Sequence, residues 1–234
     1  MEQDCYRYRL KLRDGCRKAV VGANSRGKIG CSLCLNMYGL WPFWHRLFSR
    51  LGFEVVVSPF SNRKLYQSGQ ATIPSDTACF PAKLSHGHIR WLCEQGVDAV
   101  FYPCMSYNLD EHLGDNHYNC PVVAYYSELL RGNMPELPDE NFLYPHLDIC
   151  DEKGLAANLG KVLSKRFGRI PAREMRAAVK KGMADYQAYM AGVRPKGEEA
   201  PIWARAHKKR VMVLAGRPYH IDAELGHRID QPAT

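Results

Sequence analysis

The chain lacks a hydrophobic segment long enough to cross a membrane. Its sequence contains no run of roughly 18 consecutive apolar residues, the length that a membrane-spanning helix needs. The charged N-terminus, MEQDCYRYRLKLRDGCRK, also lacks the apolar stretch of a secretory signal peptide. These absences predict a cytoplasmic protein that has no membrane partner.

Several catalytic and nucleotide-binding motifs are also missing. The sequence has no Ser-His-Asp or His-Glu-x-x-His arrangement, no GxGxxG or Walker motif, and no pair of carboxylates at an interpretable spacing. The GRPYH segment at 216–220 follows a predicted strand, and a glycine there brings backbone N–H groups close to a bound phosphate. Taken alone, that segment is a weak signal, so motifs assign no reaction to this chain.

The net charge of +8 does not indicate a nucleic-acid-binding surface, because of where the charge lies. Residues 1–30 carry eight Lys and Arg against three acids, and residues 161–181 carry eight against one. The middle of the chain is not basic. We predict that the two basic segments are solvated or that they attract an acidic partner or a phosphorylated ligand, such as a coenzyme A ester.

Nine cysteines, an odd number in a chain without a signal peptide, indicate free thiols or metal ligands and not a disulfide framework. Cys79, Cys104 and Cys120 each lie beside an apolar segment and one or two residues from a proline. Thiols at the ends of different sheet elements can converge in space, and thiolates are ligands of zinc and of iron–sulfur clusters. The alternative is three half-buried free cysteines.

Cys31 and Cys34 form a CSLC pair, which has the spacing of a redox or metal motif. Because cysteine also packs as a small hydrophobic residue, core packing is the preferred interpretation, and a second redox or metal role stays open. The remaining cysteines have no convergent neighbours in sequence and predict no site. They are Cys5, Cys16, Cys93 and Cys150.

Short apolar runs alternate with helical patterns in the first part of the chain, which predicts an α/β fold with a Rossmann-like parallel sheet and flanking helices. In such folds ligands bind at the carboxyl ends of the strands, and Cys104 follows one of them. The predicted strands cover residues 28–33, 53–59, 97–103 and 121–126. A helix is predicted with Pro42 in its first turn and Gly52 at its end, because Trp41, Trp44, Leu47, Phe48 and Leu51 recur at helical spacing, so the aromatic face of this helix should pack on the sheet. Two further helices are predicted over 62–67, capped by Ser61, and over 81–95.

Composition divides the chain into four segments. Two helices are predicted over 152–167 and 172–191, and the Gly/Pro/charge-rich stretch GVRPKGEEAP after them is predicted to be a linker. The strand-and-turn pattern restarts at RVMVLAGRPYHID and stops soon afterwards, so we expect a fragment of a longer polypeptide. The segments are 1–27, a tail or linker; 28–134, a Rossmann-like lobe that carries the cysteines; 135–206, a helical segment and linker; and 207–234, the start of a truncated second α/β lobe.

Seven strings resemble the acyl-CoA dehydratase activase-related proteins of the DUF2229 family, over about residues 28–230. They are LNMY, PFW, GFEVVVSP, IPSDTACFPAKLSHGHI, FYPC, DNHYNCPVV and VLAGRPYHID. These proteins are related to the iron–sulfur D-component of 2-hydroxyacyl-CoA dehydratases. The resemblance implies two Rossmann-like lobes joined by helices and a [4Fe-4S] cluster held by cysteines from strand ends. In larger members the segment is fused to ATP-dependent activase modules and to dehydratase-like modules.

The resemblance assigns Cys79, Cys104 and Cys120 as the ligands of this [4Fe-4S] cluster. Three cysteines leave one iron without a cysteine, so water, a polar side chain or a substrate oxygen is expected there. Neighbouring polar residues are expected to line the cofactor site and to donate to cluster sulfurs or bind an oxygen-bearing ligand. They are Ser75, Asp76, Ser106, His117 and Asn119.

His86 and His88 are two residues apart on a predicted helix, so they cannot both face one cluster. His88 shares the apolar face with Leu84 and Leu92. Two interpretations of His88 stay open: it is either a hydrogen-bonded histidine in the core or a histidine that faces the cluster.

Two classes of function follow. The first is an iron–sulfur redox component that accepts an electron from an ATP-dependent activase and passes it to an acyl-CoA substrate or to another cluster. The alternative is a non-redox module that binds a CoA ester or docks onto a larger multidomain protein. Acyl-CoA is a candidate ligand and a homodimer a candidate assembly; neither nucleic acid nor membrane is expected as a partner.

Overall fold

The computed structural model describes residues 25–112, 114–222 and 224–226, together with residues 8, 9 and 11. The tail predicted over residues 1–27 therefore lies almost wholly outside the described residues. In chain order the helices and strands are β1 (Lys28–Cys31), α1 (Leu35–Gly39), α2 (Trp41–Arg50), β2 (Glu54–Val57), α3 (Arg63–Gly69), α4 (Phe80–Glu94), β3 (Ala99–Phe101), α5 (Pro121–Asn133), β4 (Phe142–Leu143), α6 (Glu152–Phe167) and α7 (Ala172–Ala206), with 3₁₀ turns at Gln70–Thr72 and Pro218–Ile221.

Four parallel strands form one sheet in the order β2-β1-β3-β4. Ile29 of β1 lies opposite Val55 of β2 on one side and opposite Ala99 of β3 on the other. The predicted α/β class with a Rossmann-like parallel sheet is confirmed. Because β2 and β3 flank β1, the strand order reverses at β1, and the carboxyl ends of β1 and β3 border the crevice where such sheets bind ligands.

Aromatic side chains from α2 cover the sheet, as their helical spacing predicts. Trp44 and Phe48 are fully buried, and their rings lie 4.8 Å and 4.9 Å from the ring of Phe101 on β3, measured between centroids. Pro42 lies in the first turn of α2, where its missing N–H breaks no helical hydrogen bond. Burying each of these aromatic side chains is worth roughly 1.5–3 kcal/mol, so this contact holds α2 onto the sheet.

The backbones of helices α3 and α4 approach each other closely enough to be in direct contact. A Cβ atom on Gly69 would collide with the backbone of His86 and Gly87, and one on Gly87 would collide with the carbonyl oxygen of Leu65. Only residues without a side chain allow this approach. The contact fixes the position of α4, whose N-terminus carries Cys79.

The strand predicted over residues 121–126 is wrong, because these residues begin helix α5. Cys120 is the N-cap residue and Pro121 occupies the first turn, a favoured position for proline. The buried positions of α5 include Val123, Tyr126 and Leu130, which recur at helical spacing. The fourth strand is instead β4, which pairs with β3 through Val100 opposite Phe142.

Two smaller predictions also need correction. Ser61 does not cap α3, because the side chain of Asn62 accepts the hydrogen bond from Leu65 N at 3.0 Å. The stretch predicted as a linker continues α7 to Ala206, with Pro195 and Pro201 inside the helix. Both prolines lie in its last turns, where few residues of α7 are buried.

No strand forms over residues 210–215, although the RVMVLA pattern predicted one. None of the described strands pairs with this segment. Its apolar side chains are exposed instead, with 79% of Met212 and 82% of Val213 accessible to solvent. The division of the chain into four segments stays a prediction.

Candidate functional site

Cys79 and Cys120 occupy equivalent positions at the start of two helices. Cys79 is the N-cap residue of α4, with backbone angles φ −63° and ψ 149°, and Cys120 is the N-cap residue of α5, with φ −64° and ψ 154°. Both thiols are exposed. The N-terminus of a helix presents backbone N–H groups without helical partners, and the Cys120 sulfur accepts one of them, from Val123 N at 3.4 Å. Each helix therefore has a sulfur at its N-terminus, although the side chain of Cys79 makes no such capping bond.

Cys104 lies three residues beyond the end of β3 and is buried. Its backbone N–H donates to Pro145 O and its carbonyl oxygen accepts from Leu147 N, both at 2.9 Å, so the pairing with the β4 segment continues past the strand. Its sulfur lies 2.9 Å from Ser127 Oγ on α5. Burial raises the pKa of the Cys104 thiol above its usual range, and the hydrogen bond with Ser127 partly offsets this effect.

A short ribbon joins the neighbourhoods of Cys104 and Cys120. Tyr107 and Tyr118 form an antiparallel bridge, and Asn119 N donates to Ser106 O at 2.9 Å. The side-chain amide of Asn119 donates to Met105 O at 2.9 Å. Residues next to Cys104 and to Cys120 are thus hydrogen-bonded to each other across the ribbon.

Two buried tyrosines, Tyr126 and Tyr219, interact electrostatically with the cysteines. Burial raises the pKa of Tyr219, and electrostatic interaction with Cys120 and Cys79 adds to this effect. Burial likewise raises the pKa of Tyr126 to about 12, and electrostatic interaction with Cys79 adds to this effect. Both cysteines therefore influence one phenol, that of Tyr219, electrostatically, whereas a common site for all three sulfurs stays a prediction.

The polar residues predicted to line the site have different surroundings. Ser106 Oγ lies 3.0 Å from the hydroxyl of Tyr125. His117 Nδ1 lies 3.8 Å from a carboxylate oxygen of Asp110. Asn119, as described above, holds the ribbon. Their role in binding a cofactor stays a prediction.

The loop before Cys79 carries the other two predicted residues, Ser75 and Asp76. Ser75 Oγ accepts the N–H of Thr77 and lies 2.8 Å from its hydroxyl, which makes a local turn. Lys83 Nζ on α4 donates to Asp76 O at 2.8 Å. Both residues are exposed, and these bonds hold the loop against the first turns of α4.

Cys31 and Cys34 are both buried, one in β1 and one at the start of α1. Burial raises the pKa of Cys34 to about 12, although hydrogen bonds with Ser32 and Tyr102 lower it. Burial likewise raises the pKa of Cys31 well above its usual range. Two thiols that keep their protons in this way pack as small hydrophobic groups, in agreement with the core-packing interpretation.

His86 and His88 are both buried and both hydrogen-bonded within the protein. His88 lies between Ser58 Oγ at 2.7 Å and Ser61 Oγ at 3.0 Å. His86 lies between Thr72 Oγ1 at 2.8 Å and the hydroxyl of Tyr126 at 3.0 Å. All four ring nitrogens have partners, so the interpretation of His88 as a core histidine is correct.

Two residues near Cys104 were missed by the sequence reasoning. One ligand atom from each of Cys104, Glu128 and His146 lies within 4.8 Å of the others, a donor set that can hold a metal ion. Glu128 is on α5 and His146 follows β4, so no sequence spacing links them to Cys104. The pairing of His146 with Cys104 across the sheet end, together with the direction of α5, brings the three residues together.

Comparisons with known proteins give one match. Residues 28–233 match the family described as CoA enzyme activase uncharacterised domain (DUF2229). No curated protein and no solved structure matches the chain. Among the described residues, no helix is long and apolar enough to cross a membrane.

Proposed function

Because this match shows that the chain belongs to the DUF2229 family, we propose that it is an iron–sulfur redox component of a system that activates CoA enzymes. Cys79, Cys104 and Cys120 are the proposed ligands of a [4Fe-4S] cluster, which when bound supplies one-electron transfer. The proposed electron donor is an ATP-dependent activase, and the proposed acceptor is an acyl-CoA substrate or another cluster. We also propose a relation to the D-component of 2-hydroxyacyl-CoA dehydratases.

The observation that most supports this proposal is the ribbon between Cys104 and Cys120. Hydrogen bonds from Asn119 to Ser106 and Met105 tie together the residues adjacent to these two cysteines. The bond between His86 and Tyr126 joins α4 to α5, so the N-termini that carry Cys79 and Cys120 belong to connected helices. Ligands from three separate segments are thereby held by contacts that do not depend on metal.

The donor chemistry of these residues fits an iron–sulfur cluster. Thiolates are its usual ligands, and hydrogen bonds to the sulfurs tune its potential. The N–H of Val123, which already bonds to the Cys120 sulfur, provides such a bond, and Ser127 Oγ is placed to donate one to Cys104. Ser106 and Asn119 position the backbone, whereas Ser75, Asp76 and His117 are the proposed contacts for an oxygen-bearing ligand.

The basic segment at residues 161–181 supports the proposed partners. It covers the end of α6 and the first turns of α7, and it carries eight Lys and Arg against one acid. Such a surface attracts anions over about 8–10 Å at ordinary salt concentrations. The phosphates of a CoA ester, or an acidic face of an activase, are the proposed anions.

Anaerobic iron and sulfide analysis of the reconstituted protein tests this proposal. We expect about four iron atoms per chain and a paramagnetic resonance signal after one-electron reduction. The Cys104→Ser variant should lose most of the iron. Cys93→Ser is the matched control, since Cys93 lies near the other end of α4, about 21 Å along the helix from Cys79.

Unchanged iron content in Cys104→Ser would show that the three-cysteine assignment is wrong. Iron that is lost equally from Cys93→Ser would show instead that the losses reflect general damage to the fold. Wild-type protein that takes up no iron under anaerobic reconstitution would contradict the redox proposal itself.

A second candidate function, a non-redox docking module, is favoured by one feature. Residues 211–214 expose four consecutive apolar side chains, with accessible fractions from 46% for Leu214 to 82% for Val213. Exposed apolar patches mark interaction sites more often than scattered residues do. This function predicts binding to a larger partner or to a CoA ester by protein that contains no iron, and the iron analysis above separates the two candidates.

A further inference from the structure

The structure contains a second set of metal-binding side chains, of which only Cys104 belongs to the three-cysteine assignment. We infer that Cys104, Glu128 and His146 bind a single divalent metal ion of the zinc type. Ligand atoms of the three residues lie within 4.8 Å of one another, and His146 Nε2 lies 3.1 Å from Glu128 Oε1. The site offers one sulfur, one imidazole nitrogen and one carboxylate oxygen, all of which are zinc ligands.

Backbone pairing holds two of the three ligands in place. Cys104 and His146 are partners in a parallel bridge, so their side chains leave the sheet end on the same side. Hydrogen bonds on both sides of this bridge, from Cys104 N to Pro145 O and from Leu147 N to Cys104 O, keep it in register. Metal binding therefore requires no new backbone arrangement.

Helix α5 supplies the third ligand and a supporting contact. Glu128 follows Ser127, whose hydroxyl lies 2.9 Å from the Cys104 sulfur. Met105 N donates to Ala124 O at 3.0 Å, which ties α5 to the residue after Cys104. Ser127 can donate its proton to the sulfur once that sulfur is a metal-bound thiolate, so it would orient the ligand.

The distances suit a small tetrahedral ion after a minor adjustment. With Zn–S near 2.3 Å and Zn–N or Zn–O near 2.0–2.2 Å, two ligands of one zinc lie about 3.3–3.8 Å apart. Glu128 and His146 have side chains that are 52% and 62% accessible, so they can rotate the remaining distance at little cost. Three protein ligands leave a fourth position that faces solvent, as in zinc sites that bind water or substrate.

This site needs only three residues and does not depend on the iron–sulfur proposal. Its one link to that proposal is Cys104, which both metals would use. When the Cys104 thiolate binds the single ion it is not available to the cluster. Binding of the single ion and binding of the cluster to one protein molecule should therefore compete. This competition is the only part of the inference that rests on the proposed function.

Cobalt titration of the metal-free, reduced protein tests the site, since Co²⁺ is a coloured substitute for Zn²⁺. We expect one Co²⁺ per chain, a sulfur-to-cobalt charge-transfer band, and loss of that band when Zn²⁺ is added. His146→Ala and Glu128→Gln should each weaken binding by at least about tenfold, the loss that follows even from removal of an outer-shell partner. Both replaced side chains are exposed, so we expect these variants to fold, and circular dichroism verifies it.

Two control variants keep the outcomes separate. Cys79→Ser should keep the cobalt band and lose iron in the cluster assay, whereas His146→Ala should lose the cobalt band and keep the iron. Cys150→Ser, which removes an exposed thiol outside both sets, should keep both. The inference is overturned if cobalt binds without a sulfur band, if His146→Ala binds it unchanged, or if Cys79→Ser abolishes it.

Discussion

Cys79 and Cys120 have backbone angles that agree within about 5°, and each is the last residue before a helix with a proline in its first turn. The two helices are α4 and α5, which are joined by the bond between His86 and Tyr126. The fold therefore presents the same backbone conformation twice, with a sulfur at the N-cap position, where a side chain normally accepts backbone N–H groups, as the Cys120 sulfur does. The two cysteines can be tested by a single kind of substitution.

We predict that Cys79→Ser and Cys120→Ser remove the metal without loss of stability. Serine is among the preferred N-cap residues, because its hydroxyl oxygen accepts the free N–H groups of the first turn. The free energy of unfolding should stay within about 1 kcal/mol of wild type, measured by urea denaturation of metal-free protein. Iron content after reconstitution should fall sharply in both variants. A large loss of stability with iron retained would show that these cysteines serve the fold and not a metal.

A second prediction concerns the pH dependence of stability. Burial lowers the pKa of His88 to about 3 and that of His86 to about 4, whereas an unfolded chain binds these protons near pH 6.5. The unfolded state therefore binds more protons as pH falls below about 6.5, so acid favours unfolding, by up to about 1.4 kcal/mol per pH unit for each histidine. Above about pH 6.5 the two histidines are neutral in both the folded and the unfolded chain, so their full contribution to the free energy of unfolding is present there.

The His88→Gln variant isolates this effect. Glutamine can still bond to Ser58 or Ser61 but does not titrate, so the slope of unfolding free energy between pH 6 and 4.5 should become shallower. His112→Gln serves as the control, since the side chain of His112 is 86% exposed. Equal slopes in wild type and His88→Gln would contradict the assignment of His88 as a buried neutral group.

The contact between α3 and α4 gives a third prediction. Gly87→Ala should lower the free energy of unfolding by at least about 1–3 kcal/mol, because the new methyl group meets the backbone of Leu65 and cannot be accommodated by rotating a side chain. Gly197→Ala is the matched control. It lies in α7 with nothing within 4 Å of the added carbon, and alanine there should stabilise the helix by up to about 1 kcal/mol. Thermal unfolding of the two variants should shift in opposite directions.

The ribbon gives a fourth prediction. Asn119→Ala removes the hydrogen bond to Met105 O and should cost about 1 kcal/mol of stability. If the ribbon positions Cys104 and Cys120, the variant should also take up less iron during anaerobic reconstitution. Asn116→Ala, in the same loop, should take up iron as wild type does. Full iron content in Asn119→Ala would show that the two cysteines do not need the ribbon.

The helices with long periodic patterns of apolar residues were the part of the fold that could be predicted from the sequence. Helix α6 has the predicted bounds, and α2 has its aromatic face on the sheet because its apolar residues recur at helical spacing. Residues 121–126 were assigned wrongly because a six-residue apolar run fits a strand or a helix equally well. The deciding signals were Cys120 as cap and Pro121 in the first turn. Strand β4, with two residues, is too short to leave any pattern.

Only those residues of the candidate site that belong to short, recognisable sequence motifs could be predicted from the sequence. Cys79, Cys104 and Cys120 stand beside prolines at the ends of elements, and that position is visible in the sequence. Glu128 and His146 were missed because their closeness to Cys104 arises from the pairing beyond β3 and β4 and from the direction of α5. Those relationships depend on tertiary structure, and residue spacing does not encode them.

The exposed apolar segment at residues 211–214 has a consequence for the solution behaviour of this protein. Its four side chains are already in water, so sulfate and phosphate, which strengthen the burial of apolar groups, will drive chains together through this segment before they affect the fold. Light scattering should therefore rise with ammonium sulfate at concentrations where circular dichroism is unchanged. A lysine in place of Val213 should raise the salt concentration at which scattering begins, since charge opposes such association. Colloidal stability and folding stability are thus set by different parts of the molecule.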